Sequence, residues 1–316
     1  MSSQGTLWAV EATGLEKTFG AVHAVAGVSL AIRPGEVVAF LGPNGAGKTT
    51  TIDMLLGLAV PTTGSAELFG LEPRRAVDRG LVSAVLQTGG LLKDLSVRET
   101  VELTGSLFSH TRGVQECLDR AGIAGIAGRR VNKCSGGQQQ RLRFAMALIS
   151  DPSLIVFDEP TTGMDVTGRR DFWAAIREDA AGGCTVLFAT HYLEEAERYA
   201  DRVILMDTGR IVADGTPGEL RAMAAGRMVR ATWPGATDAD LAAVPAHDGA
   251  QRQGDQVAFR ALDSDAVARH LLTATSARDL AITSHGLEDA FMALTAGDAG
   301  TAREPGRAFS KEGSTR

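Results

Sequence analysis

Apolar residues along this chain fall into two registers. Short, nearly unbroken runs occur at Val37–Leu41 and at residues 81–86, 154–157 and 185–189. They are too short for helices and predict strands buried on both faces, as in a parallel sheet. Apolar positions three and four apart mark helices. They are Ile52, Leu55 and Leu56 within residues 49–58, and Leu142, Ala145, Met146 and Ile149 within residues 139–150. Residues 97–128 read as mostly helical, interrupted at Gly105, Gly113 and Gly122, with Ser96 as cap and Glu99 at the third helical position. Weaker strands are expected at residues 7–12, Val22–Ile32 and residues 65–69. A closing hairpin is expected around Asp207-Thr208-Gly209. This order predicts an α/β domain over about residues 5–225, with a helical insertion at about residues 90–150.

The pattern changes at residues 218–225. Strand-like pieces near residues 227–232, 256–261 and 279–284 alternate with helix-like pieces near 239–244 and 264–275, predicting a small α+β accessory domain over residues 226–296. A last short helix is expected at residues 287–295. Residues 297–316, rich in Gly, Ala, Ser and charge, read as a disordered tail.

Composition excludes more than it selects. A net charge of −6 and a pI near 5.6 argue against a general nucleic-acid binder. The three cysteines, Cys117, Cys134 and Cys184, show no paired spacing and read as reduced thiols without a zinc site. The N-terminal residues lack the apolar core of a signal peptide, and no apolar run approaches 18 residues, so any membrane role is expected through a partner.

The run Val37–Leu41 leads into Gly42-Pro43-Asn44-Gly45-Ala46-Gly47-Lys48-Thr49-Thr50 and then a helix. Strand, glycine-rich loop and helix make the setting of a phosphate-binding loop. Gly42, Gly45 and Gly47 let backbone N–H groups turn inward toward phosphate oxygens, and the helix N-terminus adds positive partial charge. Lys48 is expected on the β- and γ-phosphates and the Thr49 hydroxyl on Mg²⁺. A plain glycine turn is the rival reading, but every fixed position of the pattern is filled. Asp158 and Glu159 stand where the run at 154–157 ends, the end of a parallel strand at which open α/β sheets keep ligands. Alternation along an extended chain is expected to send Asp158 toward the metal and Glu159 toward the γ-phosphate. Ser135-Gly136-Gly137-Gln138 opens the helix at 139–150, a second helix N-terminus that by itself is an ordinary turn. Phe19, taken alone, reads as a core residue.

Taken together, these motifs resemble the ATP-binding subunit of an ABC transporter over about residues 5–225. Gly42–Thr50 corresponds to the Walker A loop and residues 154–159 to Walker B. Gln87 corresponds to the Q-loop glutamine, Ser135–Gln138 to the signature, Met164-Asp165 to the D-loop and His191 to the switch histidine. Cys134 stands where the signature usually has Leu, and Phe19 where Tyr is usual. The resemblance implies a P-loop ATPase that binds ATP and Mg²⁺. Phe19 would stack on adenine, and Thr49, Asp158 and Gln87 would serve the metal. Glu159 would polarise water, His191 would hold the γ-phosphate, and Lys48 would neutralise developing charge. It also implies a head-to-tail dimer in which Ser135–Gln138 and Asp165 of one copy face the nucleotide of the other.

Residues 91–99 and 287–295 further resemble the subgroup serving ABC-2-type exporters, particularly daunorubicin-type resistance pumps. That implies an integral membrane permease as partner, export of a drug, antibiotic or other hydrophobic compound, and peripheral attachment at the cytoplasmic face. The scarcity of Lys against Arg, with abundant Ala and Gly, points to a GC-rich bacterial genome. The alternative is a soluble ABC-family ATPase acting on ribosomes or DNA. A single nucleotide domain, no heptads and no paired Cys speak against it. A P-loop kinase or GTPase leaves Ser135–Gln138 and His191 without a role.

Overall fold

A computed structural model describes residues 7–86, 90–223, 227–284, 287 and 291. The chain divides into two compact units, Met1–Leu220 and Arg221–Arg316, a division that falls within residues 218–225, where the sequence pattern changes.

The first unit contains nine strands and most of eight helices among the described residues. In chain order they are β1 (Val10–Phe19), β2 (Val22–Ile32), β3 (Val37–Leu41), α1 (Lys48–Leu55), β4 (Thr63–Leu68), α2 (Pro73–Asp78), β5 (Val82–Val85), α3 (Val97–Gly105) and α4 (Val114–Arg120). There follow α5 (Gly136–Leu148), β6 (Leu154–Asp158), α6 (Val166–Ala181), β7 (Thr185–Thr190), α7 (Leu193–Tyr199), β8 (Arg202–Asp207), β9 (Arg210–Gly215) and α8 (Pro217–Met223), which spans the division between units.

Six strands form one sheet in the order β5-β6-β7-β3-β8-β9. Every pairing is parallel except β8 with β9. β3, β6 and β7 are buried at every position, the consequence of helices or a second sheet on both faces. The second sheet, β2-β1-β4, is antiparallel. Its inward residues Val10, Leu15, Val28 and Ile32 join Ile52 and Leu55 of α1 and Phe40 and Val156 of the parallel sheet in one core. Against the opposite face, Phe144 of α5, Phe157 of β6, Phe172 and Trp173 of α6 and Phe188 of β7 interlock, edge to face in every pair but the tilted Phe144–Phe157. Each such ring pair contributes about 0.5–1.5 kcal/mol beyond burial.

The first strand runs to Phe19 rather than ending at residue 12, with register shifts that include one between Ala12 and Leu15. The helix expected from residue 139 begins at Gly136. It buries Gln140, Leu142, Phe144, Ala145, Ala147 and Leu148, a wider face than one stripe, because α3, α4 and β5 all pack on it. The insertion is α3 and α4 with two short 3₁₀ turns, Ala124–Ile126 and Val131–Lys133, and no strand is assigned there among the described residues. Ser96 caps α3 in a reciprocal box with Glu99.

The second unit holds β10 (Arg227–Thr232), α9 (Asp238–Ala243), β11 (His247–Gln253), β12 (Gln256–Ala261), α10 (Ser264–Ala274) and β13 (Arg278–Ser284). The sheet order is β11-β12-β10-β13, antiparallel throughout, which is the split βαβ arrangement. Its core gathers Val229, Trp233, Leu241, Val257, Phe259, Val267 and Leu271. The helix expected at 287–295 lies largely outside the described residues, and the tail at 297–316 lies wholly outside them. No helix among the described residues is long and apolar enough to cross a membrane.

Candidate functional site

The loop between β3 and α1 has a conformation that only glycine fills easily. Gly47 adopts φ 96°, and a Cβ there would lie 2.5 Å from the Ala24 carbonyl oxygen. A Cβ on Gly42 would lie 2.2 Å from the Met206 carbonyl oxygen. Gly209 donates its N–H to Ala46 O (3.0 Å), so the β8–β9 hairpin braces the loop from behind. Pro43, Asn44 and Gly45 are exposed at its lip, Thr49 is exposed, and Thr50 is half-buried. Lys48 is buried, and its ammonium donates to the carbonyls of Gly42 (2.6 Å) and Pro43 (3.0 Å). Burial lowers its pKa, while the neighbouring Glu159 and Asp158 charges oppose that shift.

The carboxylates follow at the end of β6. Asp158 is 5% exposed and accepts a hydrogen bond from the Thr49 hydroxyl at 3.2 Å. Burial raises its pKa; the Thr49 bond and Lys48 work against that, and Glu159 adds to it. Glu159 is not part of the strand. Its φ of 55° is left-handed, so a backbone turn, not strand alternation, separates the two carboxyl groups. Its N–H is tied to Ala189 O at 3.0 Å. One carboxylate oxygen lies 2.7 Å from His191 Nδ1, while Oε2 is buried without a partner. A non-glycine residue in this region, with an unpaired buried oxygen, marks a site rather than a scaffold position. Lys48, Thr49, Asp158, Glu159 and His191 thus form one cluster at the C-terminal ends of parallel strands.

The donor set at Thr49 and Asp158, a hydroxyl and a carboxylate, suits Mg²⁺, a hard cation that takes oxygen ligands. Among the described residues no group of three or more His, Cys, Asp or Glu could hold a metal by itself. An ion here needs further oxygens from a phosphate or water, the usual habit of Mg²⁺.

Ser135 is the N-cap of α5. Its hydroxyl accepts from Gln138 N (3.3 Å), and the Gln138 side chain accepts from Ser135 N (3.0 Å) and Arg129 (3.2 Å). Ser135 and Gly136 are exposed. Asp165 caps α6 by accepting from Gly168 N (2.6 Å), so its carboxylate has a structural task within the chain. Ser135, Gly137, Gln138 and Asp165 line one open cavity of about 380 Å³ with Arg141, and none of Gly42–Thr50 lines it. The predicted site residues therefore fall into two groups that a single chain does not merge.

Phe19 is 54% exposed, which removes the core reading; Lys17 Nζ lies 5.1 Å from its ring centre. Gln87 lies outside the described residues. Glu195, which no motif marks, is 2% exposed beside the cluster. Its neighbour Glu194 at the same helix start gives no hint of that burial.

The profile of the ABC transporter family matches residues 25–162. The chain is 37% identical over 297 residues to the Nod factor export ATP-binding protein I of Paraburkholderia xenovorans (strain LB400), covering 91% of this chain and 97% of that protein. It is 38% identical over 227 residues to the daunorubicin resistance ATP-binding protein DrrA3 of Streptomyces coeruleorubidus, covering 69% and 71%. Among solved structures it resembles the dimeric post-hydrolysis state of the ATP-binding cassette MJ0796 bound to ADP and Pi. That likeness has a TM-score of 0.59 at 27% identity, over 66% of this chain and 98% of that one.

Proposed function

The chain belongs to the ABC transporter ATP-binding family, and on that premise we propose that it is the ATP-hydrolysing subunit of an ABC-2-type exporter. The observation that carries this reading is the cluster of Lys48, Thr49, Asp158, Glu159 and His191, with the 2.7 Å Glu159–His191 contact at its centre. The relatives named for Nod factor export and daunorubicin resistance support export, here of a drug, antibiotic or other hydrophobic compound.

In this reading the phosphates of ATP lie on the 42–50 loop. Lys48 exchanges the Gly42 and Pro43 carbonyls for β- and γ-phosphate oxygens, and the exposed face of Phe19 stacks on adenine. Thr49 and Asp158 hold Mg²⁺, which when bound supplies positive charge beside the phosphates. Gln87 serves the same metal and communicates with the membrane partner. Glu159 accepts a hydrogen bond from the attacking water and aligns it on the γ-phosphorus. His191 donates to the γ-phosphate as charge builds toward ADP and phosphate. The second group, Ser135–Gln138 with Asp165, is too separate to serve the same nucleotide, so it faces the ATP of a second copy arranged head to tail. The dimeric structure of the ATP-binding cassette MJ0796 supports the pairing of two copies.

The membrane partner is an integral permease subunit, with this chain attached at the cytoplasmic face. Its docking place is the cleft beside the insertion. There Leu91 lines a cavity of about 320 Å³ with Val85, Phe108 and Met146, while Leu92 is 55% exposed. The three leucines of residues 91–95 are thus divided, Leu91 facing a cavity, Leu92 facing solvent and Leu95 half-buried. The test is co-purification of the chain with the permease from membranes, with ATP turnover measured alone and in the complex. Absence of Mg²⁺-dependent turnover in both preparations would overturn the reading.

A further inference from the structure

Glu195 sits in the first turn of α7, a place where carboxylates usually face water and the helix dipole. Here it points inward and is 2% exposed. A buried carboxylate persists only where donors surround it. Its three partners come from three different segments. The Thr161 hydroxyl donates to Oε1, the Thr190 hydroxyl donates to Oε2 at 3.3 Å, and Arg169 Nε lies 3.3 Å from Oε1. The Arg169 contact is an ion pair without hydrogen-bond alignment, since that Nε counts as unpartnered. The guanidinium also lies 5.3 Å from the centre of the Tyr192 ring.

Each partner belongs to a segment that presents a site residue. Thr190 immediately precedes His191, and its hydroxyl accepts from Tyr192 N at 3.0 Å, so it staples the turn that carries the histidine. Thr161 lies in the turn after Glu159; its carbonyl accepts from Met164 N at 3.0 Å, and Asp165 follows as the cap of α6. Arg169 stands one turn into that helix. Both hydroxyls that Glu195 binds are thus spent on loops flanking the Glu159–His191 contact.

We propose that Glu195 is a positioning residue whose buried carboxylate locks the turn carrying His191 to the turn following Glu159, fixing the pair for hydrolysis. This rests on the ATPase reading above. Glu195 touches neither nucleotide nor water. It acts by sharing one rigid group between the two loops, adding a side-chain tie to the backbone bond from Glu159 N–H to Ala189 O. Displacing a reacting group by about 1 Å costs on the order of 100-fold in rate, so loosening this lock lowers turnover without touching the loop at 42–50 that binds ATP. Burial also raises the Glu195 pKa, which the Thr161 bond, Arg169 and the Thr190 bond counter.

The test compares Glu195→Gln, Thr190→Val and the double variant with the parent chain. The measurements are kcat, the KM for ATP, the Kd for a fluorescent ATP analogue and the melting temperature. Each single variant is expected to lose about 10- to 100-fold in kcat, with KM and Kd within about twofold of the parent. The double variant should lose less than about twofold more than the worse single, because both act through one lock. If Glu195→Gln unfolds, Thr190→Val, which removes only a hydroxyl, carries the same expectation alone. Unchanged kcat in a folded Thr190→Val variant overturns the proposal. So does a loss that appears in KM and Kd rather than kcat, or one that multiplies fully in the double variant. A parent chain that binds and turns over no ATP counts against the ATPase reading instead.

Discussion

Replacing Arg112 and Arg120 by Met, singly and together, measures what fastens the helical insertion to the core. Asp179 of α6 has a side chain only 3% exposed. It accepts from Arg112 Nη1 at 3.0 Å and from Arg120 Nη1, while its Oδ2 has no partner. Arg120 lies on α4 of the insertion. Arg112, just before α4, also holds the exposed Asp151. Losing one charged hydrogen bond to a buried carboxylate costs about 1.5–3 kcal/mol; releasing exposed Asp151 adds little. Arg112→Met should therefore lower the melting temperature of the first unit by roughly 3–12 °C at about 2–4 °C per kcal/mol. Removing both arginines leaves the carboxylate uncompensated, a loss of about 3–5 kcal/mol.

The pH dependence has a definite sign. Burial already raises the Asp179 pKa against the pull of both arginines. Between the unfolded value near 3.9 and the raised folded value, the native state holds more protons, so stability falls as pH rises through that window. Without the arginines the folded value rises further. The defect of the double variant should then be largest near neutral pH and shrink on acidification toward pH 5, as read by calorimetry at each pH. A double variant melting within about 2 °C of the parent at pH 7 would refute the assignment of this cluster as the insertion's anchor.

Three further outcomes follow from the site. Lys48→Ala should weaken ATP binding to the isolated chain, whereas Ser135→Arg should leave it intact, because Ser135 serves the nucleotide of the other copy; equal losses in a titration with a fluorescent ATP analogue contradict the division of the site. Gly47→Ala drives a methyl group against the Ala24 carbonyl at 2.5 Å from a left-handed backbone, so it should abolish nucleotide binding in the same titration, and normal binding would contradict the loop geometry. Leu92→Asp, at a side chain already exposed, should leave the melting temperature and basal turnover unchanged while membrane recruitment by the permease is lost. Retained recruitment moves the docking surface elsewhere.

How much of this was readable beforehand depends on whether the determining contacts are local. β3, β6 and β7 were legible because burial on both faces forces unbroken apolar runs. β11 was not: every position from His247 to Gln253 is exposed or half-buried, so no buried alternation betrays it. β1 looked shorter than it is because Glu16, Lys17 and Thr18 lie on a partly solvated stretch of an irregular ladder. The start of α6 is hidden by Gly168, though Phe172, Trp173 and Ile176 repeat at helical spacing. In the site, the glycine loop and the paired carboxylates announce themselves because their chemistry demands fixed spacing. The left-handed turn at Glu159, the burial of Glu195 and the meeting of Arg112 with Asp179 do not. Each depends on at least one partner 30 or more residues away, and no local rule encodes such distances.

In the function proposed above, Glu159 orients the water that hydrolyses an ATP held between two copies. Glu159→Gln keeps the shape of the side chain and leaves Lys48, Thr49 and Asp158 in place. Light scattering of this variant with and without Mg²⁺-ATP, paired with a turnover assay, tests that claim directly. A doubling of mass on adding ATP and a fall in turnover of about 100-fold or more are expected. A variant that still hydrolyses ATP at near the parent rate, or that binds ATP tightly yet stays monomeric, would contradict it.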